Sequence, residues 1–470
     1  MRLGSPVRRF LALLTLFLAR SPAPAQPAGA EFRVNAVTSG SQTSPVVAAA
    51  STGAFVVAWQ TPETGAATGV AARRFDASGA PLGDDMPVNT YTTGAQGSPA
   101  VAVGGTGDFV IVWQDDSRDG SYAGVFGQRY AASGSALGAE FRVNTTTTGY
   151  QNAPAVSWAA NGGFVVVWRS DGQDGDGFGI YGQRFDASGG PQGAEFRVNT
   201  YTTYDQSLPS VASDPSGGFV VVWSSADQDG SETGVFGQRF ASSGDPLGSE
   251  FRVNAYTSHA QDAPTVAMDG SGNVVVAWQS FVQDGDGPGI YAQRYAASGA
   301  PLGGEFRANT YTTDFQKAPS VAVTSGGDFV VTWQSYGPDG SGYGISGQRY
   351  AAAGAPVGGE FRVNTYTAAY QTAPSAAASA SGFVVVWTGE FEDGSSTGIF
   401  GQRYGTSCAN GDVNGDSAVN VNDVFYLINR LFAGGAAPVC SADVNGDQAV
   451  NVADVFYLIN YLFAGGSPPA

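Results

Sequence analysis

Seven asparagines set the frame of this chain: Asn35, Asn89, Asn144, Asn199, Asn254, Asn309 and Asn364, the first step 54 residues and the next five 55. Around each the same text recurs, most fully in the third copy. There Gly163-Phe164-Val165-Val166-Val167-Trp168 leads to Gln173-Asp174-Gly175-Asp176-Gly177, then Gly179-Ile180-Tyr181-Gly182-Gln183-Arg184-Phe185, then Glu195-Phe196-Arg197-Val198-Asn199. So regular a period identifies a repeat architecture. A copy is too short for an immunoglobulin-like sandwich of about 100 residues. It suits one four-stranded propeller blade with roomy loops.

The third copy predicts four strands. Strand A lies near 154–156, small residues suited to a crowded axis. Strand B, 164–168, is the unbroken apolar run of a strand covered on both faces. Strand C, 180–185, is bounded by glycines, and strand D, 196–199, alternates as a half-exposed outer strand does. The 43% apolar and 13% charged residues, with 67 glycines, give such sheets their core and turns.

The two ends of the repeat region predict how it closes. Glu31-Phe32-Arg33-Val34-Asn35 is a strand D with no A, B or C before it, and the seventh copy has A, B and C but stops after Tyr404 without a D. Pairing the orphan with the incomplete blade removes two exposed edges and fixes the count at seven. The expected fold is all-β: a seven-bladed β-propeller over 26–405 closed by the N-terminal strand, then a small α-helical module of paired loop–helix units over 406–470. The repeat region resembles secreted bacterial β-propellers.

Trp59, Trp113, Trp168, Trp223, Trp278, Trp333 and Trp387 close strand B in every copy. They are expected to fill the wedge between blades, each indole N–H finding a backbone acceptor. Arg74, Arg129, Arg184, Arg239, Arg294, Arg349 and Arg403 on strand C suit bridging through the guanidinium. Two further sets are expected to share one end of the ring. Gln42, Gln96, Gln151, Gln206, Gln261, Gln316 and Gln371 lie in the D-to-A connections. Asp-Gly pairs such as Asp119, Asp174, Asp229, Asp284, Asp339 and Asp393 lie in the B-to-C loops, where turn formation explains them. The alternative for Asp174 with Asp176, and Asp284 with Asp286, is Ca²⁺ held within individual loops.

A net charge of −18 excludes a phosphate-backbone partner, which requires clustered Lys and Arg. Residues 1–25 read as an export signal: Arg2, Arg8 and Arg9, an apolar run over 10–19, then Ala23-Pro24-Ala25. That run is about half the length needed to cross a bilayer, so the mature chain is expected to be secreted without membrane insertion. His259 is the only histidine, which leaves little for Ser-His-Asp catalysis. A specific site is expected where the copies disagree, at Asp115, Asp116, Trp158, Tyr204, Asp205 and Tyr370 of the same-end loops.

After Tyr404 the text changes. Asp412, Asn414, Asp416, Ala418, Asn420 and Asp423 stand at positions 1, 3, 5, 7, 9 and 12 of a loop, and Asp443, Asn445, Asp447, Ala449, Asn451 and Asp454 repeat the spacing 31 residues later. Side-chain oxygens with a carbonyl at position 7 are what a calcium loop requires, and two loops predict two ions. Each runs into an apolar helix, 424–432 and 455–463, stopped by paired glycines. Cys408 and Cys440, the only cysteines, precede the two loops. In an oxidising compartment they are expected to pair, two buried thiols being the alternative.

This tandem pattern over 408–466 resembles the type I dockerin family. The resemblance implies Ca²⁺-dependent folding and docking to a cohesin-like scaffold protein. Val421-Asn422 and Val452-Ala453 depart from the family's hydroxylic pair at positions 10 and 11. The first function expected is non-catalytic: an exported propeller presenting a face to a polysaccharide or other extracellular ligand, held by a dockerin-like tail. The alternative is a polysaccharide-active glycoside hydrolase with two loop carboxylates.

Overall fold

Strand B explains the architecture. In the third blade it runs Phe164–Asp171, and its alternate residues face opposite neighbours. Phe164, Val166 and Trp168 pack on Val110, Val112 and Val125 of the second blade, while Val165 and Val167 pack on Val211, Val221 and Trp223 of the fourth. A strand sandwiched in this way must be apolar on both faces, hence the continuous run. The computed structural model describes residues 27–63, 68–116, 118–394, 396–405, 411, 413, 419–435, 438, 442–447 and 449–469.

Seven four-stranded antiparallel sheets form the ring, a seven-bladed β-propeller. In the third blade strands A to D are Gln151–Trp158, Phe164–Asp171, Phe178–Phe185 and Pro191–Arg197. Strand A of each blade contacts strand A of the next, and that of the first contacts that of the seventh. Strand D comprises only two residues in five of the blades, such as Phe251–Arg252. Beyond that arginine an asparagine side chain takes over the pairing: Asn254 Oδ1 accepts from Val235 N–H at 2.8 Å.

The seventh blade, Gln371–Ser379, Gly382–Glu390 and Thr397–Gly405, is completed by Phe32–Arg33. The borrowed strand sits in the common register. Phe32 opposes Gly401 and Arg33 opposes Phe400, as Phe196 opposes Gly182 and Arg197 opposes Tyr181. Asn35 Oδ1 accepts from Ile399 N–H at 2.7 Å, as Asn199 does from Ile180.

Three interblade contacts recur around the circle. The strand-D phenylalanine wedges under the next blade, Phe196 against Phe219 and Phe240 with centroids 6.2 and 5.5 Å away, and Phe32 likewise against Phe55 and Phe75. Strand-C arginines grip the following C-to-D hairpin: Arg74 donates to Ala132 O, Arg184 to Ser242 O, and Arg403 of the last blade to Ser78 O of the first. The strand-D carboxylate accepts from the backbone N–H just past the preceding blade's asparagine. Glu195 takes Thr145 N–H and Glu250 takes Thr200 N–H at 2.6 Å, and Glu31 takes Thr365 N–H at 2.5 Å.

All seven tryptophans are buried between blades, but in six of them the expected indole hydrogen bond does not form. The N–H groups of Trp113, Trp168, Trp223, Trp278, Trp333 and Trp387 have no partner. The reason is geometric: sheet carbonyls point within the plane of their own sheet, whereas the indoles lie between sheet faces.

The tail's described residues form two helices, α1 (Val421–Ala433) and α2 (Val452–Ala464), packed through Val424, Leu427, Val455 and Leu458. Each starts three residues before the sequence expectation, because Asn420 and Asn451 are N-caps in capping boxes with Asp423 and Asp454. Gly434 and Gly465, both at φ 68°, end them in the left-handed conformation. The export signal and Cys408 with Cys440 lie outside the described residues.

The closing blade differs from others at one telling contact. Gln173 and Gln283 donate to Glu195 and Glu305 at 2.6 Å, whereas the residue before the seventh blade's Asp-Gly turn is Glu392, which shares a hydrogen bond with Glu31. Burial, then Glu31 and nearby Asp393, push the Glu392 carboxyl up from 4.5 to about 9. The fold thus holds a proton that the unfolded chain releases near pH 4.5, so this contact's contribution is complete below that pH and is lost as pH rises toward 9. Glu392→Gln is expected to raise the melting temperature at pH 8 by about 2 °C or more and to leave it within about 1 °C at pH 4. Calorimetry at the two pH values checks this, and a lower melting point at pH 8 contradicts the shared proton.

Candidate functional site

The D-to-A and B-to-C connections emerge at the same end of the ring, and the residues there divide into frame and face. The recurrent glutamines belong to the frame. Rather than lying in the loop, each of Gln96, Gln151, Gln206, Gln261, Gln316 and Gln371 opens strand A, and with Gln42 all seven are fully buried. In the third blade Asn199 accepts from Ile180 N–H at 2.7 Å. Its amide donates to Tyr201 O at 2.8 Å, to Gln206 Oε1 at 3.0 Å and to Asp174 Oδ2 at 3.0 Å. Gln206 in turn donates to Thr203 O at 3.1 Å. The Asn–Gln–Asp set is a buried bracket joining two loops to strand C, which is why the three residues recur together.

The Asp-Gly pairs also act as frame. Gly175 and Gly285 stand at φ 109° and 105°, as a turn requires. Asp176 Oδ2 accepts from Tyr204 N–H at 3.0 Å and Asp286 Oδ2 from Asp314 N–H at 3.1 Å, so these carboxylates tie the B-to-C loop to the D-to-A loop. Among the described residues no three Asp, Glu, His or Cys side chains converge on one ion position.

The face is made of residues that differ between copies. Tyr122, Tyr150, Tyr204, Phe315, Tyr336, Tyr370 and Phe391 are exposed, all in or beside these connections. Tyr122 stacks on Tyr150 at 4.7 Å, and Tyr343 lies 5.1 Å from Tyr336 and 6.1 Å from Tyr370. Sequence reasoning named Tyr204 and Tyr370 but passed over the others, which only the topology gathers at one end. Trp158 does not belong there. It ends strand A against Phe164, at the opposite end of the ring. Asp205 accepts from Phe178 N–H at 3.1 Å, and His259 sits on the same rim 3.9 Å from Glu232.

Asp115 is fully buried, and burial pushes its carboxyl up to about 6 against the opposing effects of Gln96 at 3.3 Å and Arg118 at 3.7 Å. It belongs to an internal network, with Arg118 reaching Glu140 at 2.5 Å.

In the tail, Asn420 and Asp423 are the described members of the first loop's set, while Asp412, Asn414, Asp416 and Ala418 lie outside the described residues. Within the second loop, Asp443 Oδ1 accepts from Gly446 and Asp447 N–H at 2.9 and 3.1 Å, and Asp447 Oδ1 from Ala449 N–H at 2.9 Å. Asp454 is buried, its Oδ1 accepting from Val444 N–H at 3.0 Å and its Oδ2 from Asn451 N–H at 2.8 Å. The donor set, all oxygen and ordered as in the sequence, fits a hard cation. Positions 10 and 11 fall in the first turn of each helix, where Val421 and Val452 are exposed. Phe425 and Phe432 on α1, and Phe456 and Phe463 on α2, are also exposed, so the two helices carry the same outward apolar positions.

The molecule thus combines a propeller with a paired loop–helix module. Residues 410–463 match the Dockerin type I domain family. Dockerin type I domains bind calcium, and dockerin-containing proteins are typically extracellular. No helix among the described residues is long and apolar enough to cross a membrane. Similar solved structures include a protein of unknown function from Dyadobacter fermentans, 10% identical, with TM-score 0.49 over 80% of this chain and 97% of that one. The α-L-arabinanase of Penicillium chrysogenum is 15% identical, with TM-score 0.45 over 65% of this chain and 94% of that one. The phage phi92 endosialidase is 8% identical, with TM-score 0.46 over 81% and 69%. Likeness at this level carries nothing about activity. No curated protein sequence matches the chain.

Asn199→Ala removes the acceptor of a buried N–H and three donated bonds, and is expected to lower stability by about 2–4 kcal/mol. Tyr204→Ala on the face should change it by less than about 0.5 kcal/mol. Urea unfolding of both variants checks the division into frame and face.

Proposed function

We propose that the chain is an exported, non-catalytic binding protein. Its propeller presents the aromatic D-to-A and B-to-C face to an extracellular ligand, and its tail docks, with calcium, to a cohesin-like partner. Residues 1–25 direct export, 26–405 bind, and 406–470 dock. The observation that carries this is the dockerin match over 410–463 together with the exposed Val and Phe positions duplicated on α1 and α2. Exposed phenylalanines at matched places on two helices are an anchor for a partner rather than a core.

Two calcium ions are assigned, one held by Asp412, Asn414, Asp416, the Ala418 carbonyl, Asn420 and Asp423, the other by Asp443, Asn445, Asp447, the Ala449 carbonyl, Asn451 and Asp454. Bound metal offsets the small apolar core of such a module, and a Cys408–Cys440 disulfide adds a covalent tie. The hydrolase alternative needs two accessible carboxylates facing a substrate. Three carboxyls at this end have raised proton affinity: Asp115 is sealed inside the second blade, Glu392 is paired with Glu31, and Asp262 is raised by burial beside Gln261 at the start of the fifth blade's strand A.

Binding to an immobilised type I cohesin is expected in millimolar calcium and to vanish in EGTA. Phe425→Ala combined with Phe456→Ala should weaken it by at least about tenfold. Chelator should lower the tail's helicity in the wild type but not in the Asp412→Ala, Asp443→Ala double variant. Helicity indifferent to EGTA in the wild type contradicts the calcium assignment. Release of reducing sugar by the propeller, abolished by a rim carboxylate substitution, contradicts the non-catalytic one.

A further inference from the structure

The sixth blade departs from its companions at two neighbouring positions. Strand C carries Ser346 opposite Trp333, where the second to fifth and seventh copies place Phe126, Tyr181, Phe236, Tyr291 and Phe400 opposite the tryptophan and the first places Ala71, so that only the sixth pairs a small residue here with a proline before the Asp-Gly turn. Before the Asp-Gly turn stands Pro338, where the third, fourth and fifth blades have Gln173, Gln228 and Gln283. With both fillers absent, a cavity of about 260 Å³ opens beside the fifth blade's strand-D end, with Ser335, Asp339, Ser346, Glu360 and Arg362 in its lining.

The other blades show what the cavity leaves unsatisfied. In the second to fifth, the bracket asparagine donates to the turn aspartate: Asn144 to Asp119 at 3.3 Å, Asn199 to Asp174 and Asn254 to Asp229 at 3.0 Å, Asn309 to Asp284 at 3.1 Å. Asp339 Oδ2, the oxygen that takes the asparagine's bond in those blades, is buried and has no partner, whereas in the third and fifth blades the oxygen without one is Oδ1 of Asp174 and Asp284. In the third and fifth, the glutamine donates to Oε1 of the strand-D glutamate. A proline cannot, and the bonds from Thr310 and Tyr311 go to Glu360 Oε2. Ser335 is 1% exposed, and its Oγ has no partner. Ser225 and Ser280 share that lack, but there Phe236 and Tyr291 take the place of Ser346. Buried polar atoms left unpaired cost about 1–3 kcal/mol each, so a ligand that supplies donors here gains what the fold leaves unmade.

The lining combines two carboxylates that accept, a guanidinium that donates, two serine hydroxyls that do both, and the apolar face of Pro338. It suits a compact uncharged ring bearing several hydroxyls. Asp339 and Glu360 repel anions, and the volume lies below the roughly 300–1,000 Å³ of drug-sized sites, room for one ring and not an oligomer. We propose that this cavity binds a single sugar ring of a neutral glycan, deepening the binding-face assignment on which it rests.

The test uses the full chain in calcium buffer, with methyl glycosides of glucose, galactose, mannose, xylose and arabinose and the matching trisaccharides, followed by saturation-transfer NMR and calorimetry. Pro338→Gln with Ser346→Tyr gives the sixth blade the residues of the third and fifth, so it should fold and melt no lower than wild type. Asp339→Asn serves as a second variant should that one fail to fold. At least one glycoside or trisaccharide should bind wild type, with at least about tenfold weaker binding to either variant. Binding of trisaccharides alone marks a glycan end as the source, and binding of simple glycosides as well marks a free sugar. Equal binding to wild type and both variants overturns the sixth-blade site while leaving the binding face standing. If no probe binds at 10 mM while the tail still docks, both fall. Competition by spermidine alone makes the pair a cation site and overturns the sugar.

Discussion

The ring depends on a pairing between the two ends of the repeat region: Phe32–Arg33 pairs onto Thr397–Gly405 and supplies the fourth strand that the seventh blade lacks. A sheet edge exposes a row of unpaired N–H and C=O groups, and a ring with one such edge would expose two faces of strand-B valines as well. Closing the circle at the last step makes seven weak interfaces cooperative. The Glu31 bond to Thr365, the Phe32 wedge against Phe55 and Phe75, and the Arg403 grip on Ser78 are single instances of contacts made around the circle.

Repetition explains why so many residues that look like a site are not one. Asn, Gln and Asp at matched positions in each copy satisfy one another and strand C's N–H in a buried bracket, so identity between copies records a packing and hydrogen-bonding demand. Departures from that demand are informative in the opposite sense. Arg118 and Asp115 in the second blade replace the neutral pair with an internal ion network, Glu392 in the seventh replaces an amide donor with a shared proton, and Pro338 with Ser346 in the sixth opens a cavity. One scaffold position yields three different physical outcomes.

Most of the fold was legible in the chain because it rests on period and pattern. The repeat spacing gave the blade count, the continuous valine run gave a strand covered on both faces, and the orphan strand D gave the closure. What escaped involves geometry that one-dimensional text does not carry. Gln206 and its counterparts look like loop residues until a bulge before Pro209 turns them inward, Leu208 standing at φ 51°. Sequence reasoning places Trp158 with Tyr204 in the same-end loops, yet a strand of eight residues separates the two ends. The strand-D glutamates recur fifty residues from the Thr they brace, a spacing visible in the sequence but meaningless until adjacent blades are placed side by side. In the tail, Asn at position 9 was legible as a ligand but acts also as N-cap, which lengthens both helices and brings Val421 and Val452 into their first turns.

The closing strand can be tested without altering the protein. The Ile399 amide donates to Asn35 Oδ1 at 2.7 Å, the counterpart of Ile180 donating to Asn199 at 2.7 Å inside an unbroken blade. In hydrogen–deuterium exchange the two amides should open together, protected to within about 1 kcal/mol of each other near the stability of the whole ring. Exchange at Ile399 as fast as at an exposed sheet edge, with Ile180 still protected, would contradict a ring sealed by its own N-terminal strand.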